Sequence, residues 1–316
     1  MRLQVVLLHL TFIFSYSAAS AQQPERTGFF DIPDSTVPAR VWGLGAGTAA
    51  VYTGSMLVLR EYWYKGYPRA PFHFYNDAGE WLQMDKAGHV FTAYFFAKNS
   101  RELWRWTGLP RKQQIWIGGL SGFAYQSVIE VLDGSSRNWG FSWADMAANT
   151  AGSAAMIGQE LLWNEQRIQF KFSWSPVKYP DPVLQRRAND IYGVNVLERI
   201  LKDYNGQTYW ASVNLSRFFP DSGLPKWLNI SFGYGADGLY DAYENVWDVA
   251  EGHQADYSHI RRVRQFYLSA DIDLTRIPTR RKGIKVLLQA LNMIKIPAPA
   301  LELTSAGRFR AHALQF

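Results

Sequence analysis

The sequence predicts an α+β fold, an N-terminal α-helical bundle of about four helices followed by a β-rich C-terminal half. Three observations predict it. Stretches at about 86–106, 112–132 and 143–165 read as helices between strong breakers, with Gly108 and Pro110 in the first gap and LDGSSRNWGFS in the second. At SWSPVKYPDP, which begins at Ser173, the chain turns proline-rich and changes character. Beyond it, TYWASVNLSRFF, WLNISFGYG, RQFYLSADIDLT, ALELTS and GRFRAHALQF alternate with period two and are rich in aromatic and β-branched residues, which is strand chemistry.

Taken in chain order, residues 1–21 have the form of a secretory signal peptide. Arg2 precedes an apolar stretch from Leu3 to about Tyr16, and Ala19-Ser20-Ala21 fits the small-x-small cleavage rule. The apolar stretch is shorter than the ~20 residues of a membrane span. Residues 22 to about 37 are polar and proline-punctuated, a surface lead-in. The uncharged run Val41–Leu59 has the length of a span, yet its four glycines weaken the hydropathy, so a span and a buried core helix are its two readings. Gly118 and Gly122, then Ala148, Gly152 and Ala155, recur at spacings that allow helices to approach closely. The helical domain is thus expected over 22–172 and the β-rich domain over 173–316, the latter with one amphipathic helix at Ile284–Ile296. Phe316 closes an alternating strand, as the last residue of outer-membrane β proteins commonly does. Five strands are fewer than the roughly eight a single-chain membrane barrel needs. An open sheet at a membrane surface and a ring completed by weakly patterned strands are the two expectations.

Composition sets the partners. Hydrophobic content of 47% and aromatic content of 16% exclude a largely disordered polymer. The formal charge of +6 favours an anionic partner. An exported chain meets little nucleic acid, so the expected partner is an anionic membrane lipid or lipopolysaccharide surface, and the sequence leaves protein partners open. RRVR (Arg261–Arg264) and RIPTRRKGIK (Arg276–Lys285), the latter leading into the amphipathic helix, suit such a surface and also suit a solvated rim. The absence of cysteine excludes a disulfide framework, a thiolate zinc site and a cysteine nucleophile.

Five residues could carry chemistry. Asp85 and His89, in DKAGHVFTAYFFAKN, share a helix face, where Asp85 also suits the helix start as a cap. Asp145 and Asn149 repeat the spacing in GFSWADMAANTAG, and Ser142 with Asp145 resembles a capping box. Glu130 lies near a helix C-terminus, where the dipole disfavours negative charge, among Ile129, Val131 and Leu132. A buried carboxylate there needs a partner, and His89 is the candidate. Asp133 belongs to the Asp-Gly turn. Convergence of Asp85, His89, Glu130, Asp145 and Asn149 would bind a hard cation, move a proton, or fix helix register as a buried polar network. No cofactor motif is present. GAGTAA from Gly45 has no strand before it, and Asp237, Asp241 and Glu244 lack EF-hand spacing.

DKAGH, the Glu and Asp of IEVLDG, and GFSWADMAANTAG resemble the YfiM-like family of predicted periplasmic lipoproteins, in a long form of the Bacteroidetes type. They are more distantly similar to VanZ-like membrane proteins. The resemblance covers roughly residues 80–165 and implies no established role for any of the five residues. Without a cysteine at the cleavage site, the family's lipid anchor is not expected here. The reading is an exported cell-envelope protein with a structural or binding role at the periplasmic face of the outer membrane. Its rivals are an envelope hydrolase using His89 with Glu130 and Asp145 on lipid or cell-wall material, and a polytopic VanZ-like inner-membrane protein.

Overall fold

A computed structural model describes residues 28–64, 68–250 and 253–315. Residues 1–21, expected from the sequence to be a signal peptide, and the terminal Phe316 lie outside these described residues. Helix α1 (Pro38–Leu59) begins on a proline at its first position, where the missing N–H costs nothing. It runs on into a π-turn at Arg60–Tyr64. It has no buried residue, so the expectation of a core helix is corrected: Trp42, Val51, Leu57 and Val58 are all exposed. Its anchors are few, with Arg40 Nη1 donating to Trp106 O at 2.9 Å and Tyr52 meeting Tyr125 edge-on.

Helices α2 (Met84–Trp106), α3 (Arg111–Asp133) and α4 (Trp143–Trp163) form the bundle close to where the sequence placed them. Small residues decide their packing. A Cβ on Gly122 would fall 2.0 Å from Ala93 O, and one on Gly152 would fall 2.3 Å from Val90 O, so α3 and α4 both press directly on the backbone of α2. Gly122→Ala is therefore expected to cost about 1–3 kcal/mol through overpacking. Chemical denaturation of the variant checks this; an unchanged midpoint would mean that the helices can part without cost.

The bundle interior joins an apolar cluster of Tyr94, Ala97, Ile115, Met156 and Ile157 to many buried polar groups, and its outside carries large apolar side chains. Gln114, Gln126 and Glu130 of α3 and Asp145, Asn149 and Glu160 of α4 are buried, whereas Trp116, Leu120, Val131, Leu161 and Leu162 are exposed. Among the described helices, α3 is the one long and apolar enough to cross a membrane. The approach to α2 is tight: Trp81, Leu82 and Gln83 all take left-handed φ. That turn is tied down by Trp81 N–H on Ala242 O at 2.8 Å and by Tyr234 on Leu82 O.

The C-terminal half is built on a six-stranded antiparallel sheet in the order β1-β2-β3-β6-β7-β8. Its strands are β1 (Ile168–Trp174), β2 (Gln207–Asn214), β3 (Leu228–Asp237), β6 (Val263–Ile272), β7 (Ala298–Thr304) and β8 (Phe309–Gln315). A separate hairpin, β4 (Val246–Ala250) with β5 (His253–Asp256), stands apart from it. The short helices α5 (Pro182–Tyr192), α6 (Val196–Lys202) and α7 (Leu215–Phe218) fill connections, and α8 (Lys282–Leu291) is the expected amphipathic helix, beginning two residues before Ile284 and ending five before Ile296.

All five strands read from the sequence are present. The sixth, β1, straddles position 172 and pairs with β2 from Ile168↔Val213 to Trp174↔Gln207. The sheet also curls onto itself. Phe172 N–H donates to Met293 O at 2.8 Å and Lys295 N–H to Phe172 O at 2.9 Å, so the chain entering β7 occupies the free edge of β1.

Inside this ring, polar side chains surround one buried cluster of Trp210, Tyr267 and Ala300. Lys171 and Asp271 form an ion pair at 2.7 Å with both side chains 0% exposed. Ser212 donates to Asp271 at 2.5 Å, and Ser231 and Asn229 donate to Ser212 at 2.8 and 3.0 Å. Lys295 lies over the buried Trp210 ring. The outer face is apolar. Near β1 and β2 it is covered by α2, through Tyr94 on Phe170 and Phe91 on Phe172 and Tyr209. Farther along it is bare: cross-strand register lines up Phe232–Leu268–Leu301 and, beside it, Tyr234–Phe266–Leu303–Phe309. Phe232 is 57% exposed and Phe309 66%.

Candidate functional site

The N-terminal turns of α2 and α4 and the C-terminal turn of α3 converge, and all five residues singled out in the sequence meet there. Positive helix ends favour Asp85 and Asp145, whereas Glu130 sits at the unfavourable end and relies on its surroundings. His89 holds the centre. Its Nε2 lies 3.7 Å from Asp85 Oδ1, 3.7 Å from Asp145 Oδ1 and 3.8 Å from Glu130 Oε1. Those separations exceed a hydrogen bond but leave strong Coulombic contact. Its Nδ1 is 2.9 Å from Asn149 Oδ1 and 3.2 Å from Gln126 Nε2. Asn149 is thereby explained: a fully buried amide that orients the imidazole.

Sequence reasoning missed four members. Lys86 is the hub, placing Nζ 2.7 Å from Asp77, 2.9 Å from Asp85 and 2.7 Å from Asp145. It stood in the DKAGH motif, and its three donors in a row of carboxylates were the signal to use. Asp77 lies in a loop without periodicity and gave no signal. Gln126 shares α3's inner face with Glu130, one turn apart. Tyr204, from the loop before β2, donates to Asp85 Oδ1 at 3.2 Å and ties the β half to the cluster.

Three local expectations are corrected. Asp85 does not cap α2, whose N-cap is Gln83 and carries no side-chain capping bond; the Asp85 carboxylate turns to Lys86 and Tyr204 instead. Only half of the capping box forms: Ser142 Oγ accepts from Asp145 N–H at 3.0 Å, while the Asp145 carboxylate goes to Lys86. Asp133 accepts from Tyr64 O–H at 2.6 Å and so belongs to more than its turn.

Four carboxylates, Asp77, Asp85, Glu130 and Asp145, thus surround two cationic groups, and the excess negative charge holds protons in place. Burial raises Glu130 to about 8, against the pull of His89. Burial and the Asp85 charge raise Asp145 to about 7. Burial opposes the ionisation of Asp77, but hydrogen bonds from Asp145, Lys86 and Ser142 outweigh it and lower the pKa. Burial likewise disfavours the His89 imidazolium, yet the charges of Asp85, Asp145 and Glu130 prevail and raise it above its ordinary value. The arrangement can share protons. It also brings ligand atoms of Asp85, His89 and Asp145 within 4.8 Å of one another, a spacing able to hold a hard cation. The cavities described, of about 490, 300 and 940 Å³, are lined by residues other than these.

GAGTAA lies within α1. Asp237 accepts from Gly238 N–H at a left-handed turn (φ 76°), and Asp241 pairs with Arg187.

No curated protein and no solved structure matches the chain. A family described as "Predicted periplasmic lipoprotein (DUF2279)" does, over residues 73–159. The matched segment holds Asp77, Lys86, Gln126 and the five residues named from the sequence, and it ends before the sheet begins. Over that segment the chain is similar to a family of predicted periplasmic lipoproteins, in keeping with an exported protein of the cell envelope.

Proposed function

We propose that this is an exported envelope protein that docks on the periplasmic face of the outer membrane through the bare outer face of its sheet and has a structural or binding role there. The observation that carries the reading is the inversion of the sheet's faces: ions, hydroxyls and amides around Trp210 and Tyr267 inside, and a bare array of aromatic and aliphatic side chains outside. Water rewards the opposite arrangement, whereas lipid rewards this one. The exposed apolar residues Ile284, Val286, Leu287 and Leu291 of α8 lie beside Arg280, Arg281 and Lys285, which suits an anionic lipid or lipopolysaccharide surface. Arg262 and Arg264 of the RRVR stretch turn inward instead, onto Ala242 O and Gln83.

In this reading the His89 cluster is a buried network that sets the register of α2, α3 and α4 and, through Tyr204, of the β half. The YfiM-like and VanZ-like likenesses of its motifs are compatible with such a scaffold. An envelope hydrolase would need substrate at His89 Nε2, a position that the carboxylates of Asp85, Asp145 and Glu130 already surround at 3.7–3.8 Å.

Flotation with anionic phospholipid vesicles tests the proposal. Phe232→Asp with Leu301→Asp removes two apolar groups worth about 1.5–3 kcal/mol each when buried. The double variant is expected to lose at least tenfold in vesicle binding while its melting temperature in buffer hardly moves. Undiminished binding would overturn the role given to this face.

A further inference from the structure

At the opposite end of α2 from His89, a cavity of about 490 Å³ opens between the bundle and the β half. Its wall carries Lys98, Arg101, Arg105, Arg111, Arg276 and Lys285. Glu102, Glu160 and Glu165 also line it, leaving three cationic groups in excess.

Several of these cations are incompletely served by the protein. Arg101 is 9% exposed and pairs through its terminal nitrogens with Glu102 and Glu160, yet its Nε–H has no hydrogen-bond partner among the described residues. The Nε–H of Arg276 is in the same position, 3.6 Å from Asp273. Lys98 donates to a neutral partner, Gln169 Oε1, at 2.8 Å. Burial holds its pKa down at about 8, the mark of an ammonium lacking a close counter-charge. Buried guanidinium donors without acceptors are costly, and a tetrahedral oxyanion supplies acceptors in several directions at once.

We infer that this cavity is a binding site for a phosphoryl group, held by the guanidinium of Arg101 and the ammonium groups of Lys98 and Lys285. Free phosphate and the phosphomonoester headgroup of a lipid both present the same oxygens to it. The inference does not require the sheet face to touch lipid.

Titration calorimetry of the full chain with inorganic phosphate, and separately with dihexanoyl phosphatidic acid, tests it. One-to-one binding is expected for the wild type. Lys98→Met removes a buried charge, so it should hold or raise the melting temperature in phosphate-free buffer while weakening binding at least tenfold. Lys285→Ala, at the rim, should weaken binding severalfold with no change in melting temperature. Equal affinity for the two ligands would support recognition of the phosphoryl group alone, and tighter binding of the lipid would support a headgroup site. Failure of both to bind the wild type, or binding that survives both substitutions, would overturn the site. Vesicle flotation by way of Phe232 and Leu301 is a separate readout, so either proposal can fail alone.

Discussion

Asp271→Ala is expected to destabilise the protein by about 3–5 kcal/mol, the characteristic loss when one partner of a buried ion pair is removed. The Lys171 ammonium would then remain in the interior of the ring, where its side chain is 0% exposed, with Lys295 as a second buried cation nearby. Asp271 also accepts from Ser212 and from Ile296 N–H at 3.2 Å, so its loss opens the chain of hydroxyls and amides across β2 and β3. Replacing the pair together, Lys171→Met with Asp271→Leu, should recover most of the loss, because no charge is then stranded. Urea denaturation of the three variants checks this. If the single variant lost less than about 1 kcal/mol, water would have to reach the ring interior, and the inverted sheet could not be the sealed structure that the membrane reading uses.

His89→Ala carries the second large effect. Without the imidazole, Asp85, Asp145 and Glu130 face one another with Lys86 as their remaining close cation, and a cost of about 1–3 kcal/mol follows. For a chain of this size that is a fall of several degrees in melting temperature. A neutral or stabilising result would instead mark a group held at the expense of stability, as binding and catalytic groups commonly are.

The pH dependence of the wild type carries the same argument. Glu130 moves from an ordinary 4.5 to about 8 on folding, so between those values the folded protein keeps a proton that the unfolded chain has released. Stability therefore falls as pH rises through that window. Asp145, raised to about 7, acts in the same direction. His89, raised above 6.5, contributes stability at acid pH that is lost as pH climbs through its folded value. The lowered Asp77 titrates at more acid pH, outside the window. The melting temperature should thus be higher at pH 5 than at pH 8, and Glu130→Gln should reduce the difference by raising stability at pH 8. A flat profile in the wild type would mean that these carboxylates reach solvent.

Much of this was legible in the sequence because it is local. The breakers around Gly108, Pro110 and LDGSSRNWGFS end helices whatever follows them, and period-two alternation marks β2, β3, β6, β7 and β8 because half of each strand meets a different medium. The pairing of Asp85 with His89 follows from helical spacing. The recruitment of Glu130 followed from its cost: a carboxylate among apolar neighbours at a helix C-terminus must find a partner. IQFKFSW, by contrast, directly follows α4 and was absorbed into the helical half, although it supplies the first strand of the sheet.

The sequence by itself determined the three bundle helices, five of the sheet's six strands, the amphipathic helix, their order, and the set of five polar residues that had to be satisfied. Tertiary structure alone decided which medium each face meets. Alternation is blind to sign, since a strand with polar residues buried and apolar ones exposed has the same period as its opposite. Only the return of Met293–Lys295 to the edge of β1 encloses Lys171 and Asp271 and turns Phe232, Leu268 and Leu301 outward. The same holds for Lys86, Asp77 and Tyr204, which lie far apart in sequence or outside any periodic pattern. Their charges meet because glycines let α3 and α4 close on α2, and contact across such distances is a property of packing rather than of pattern.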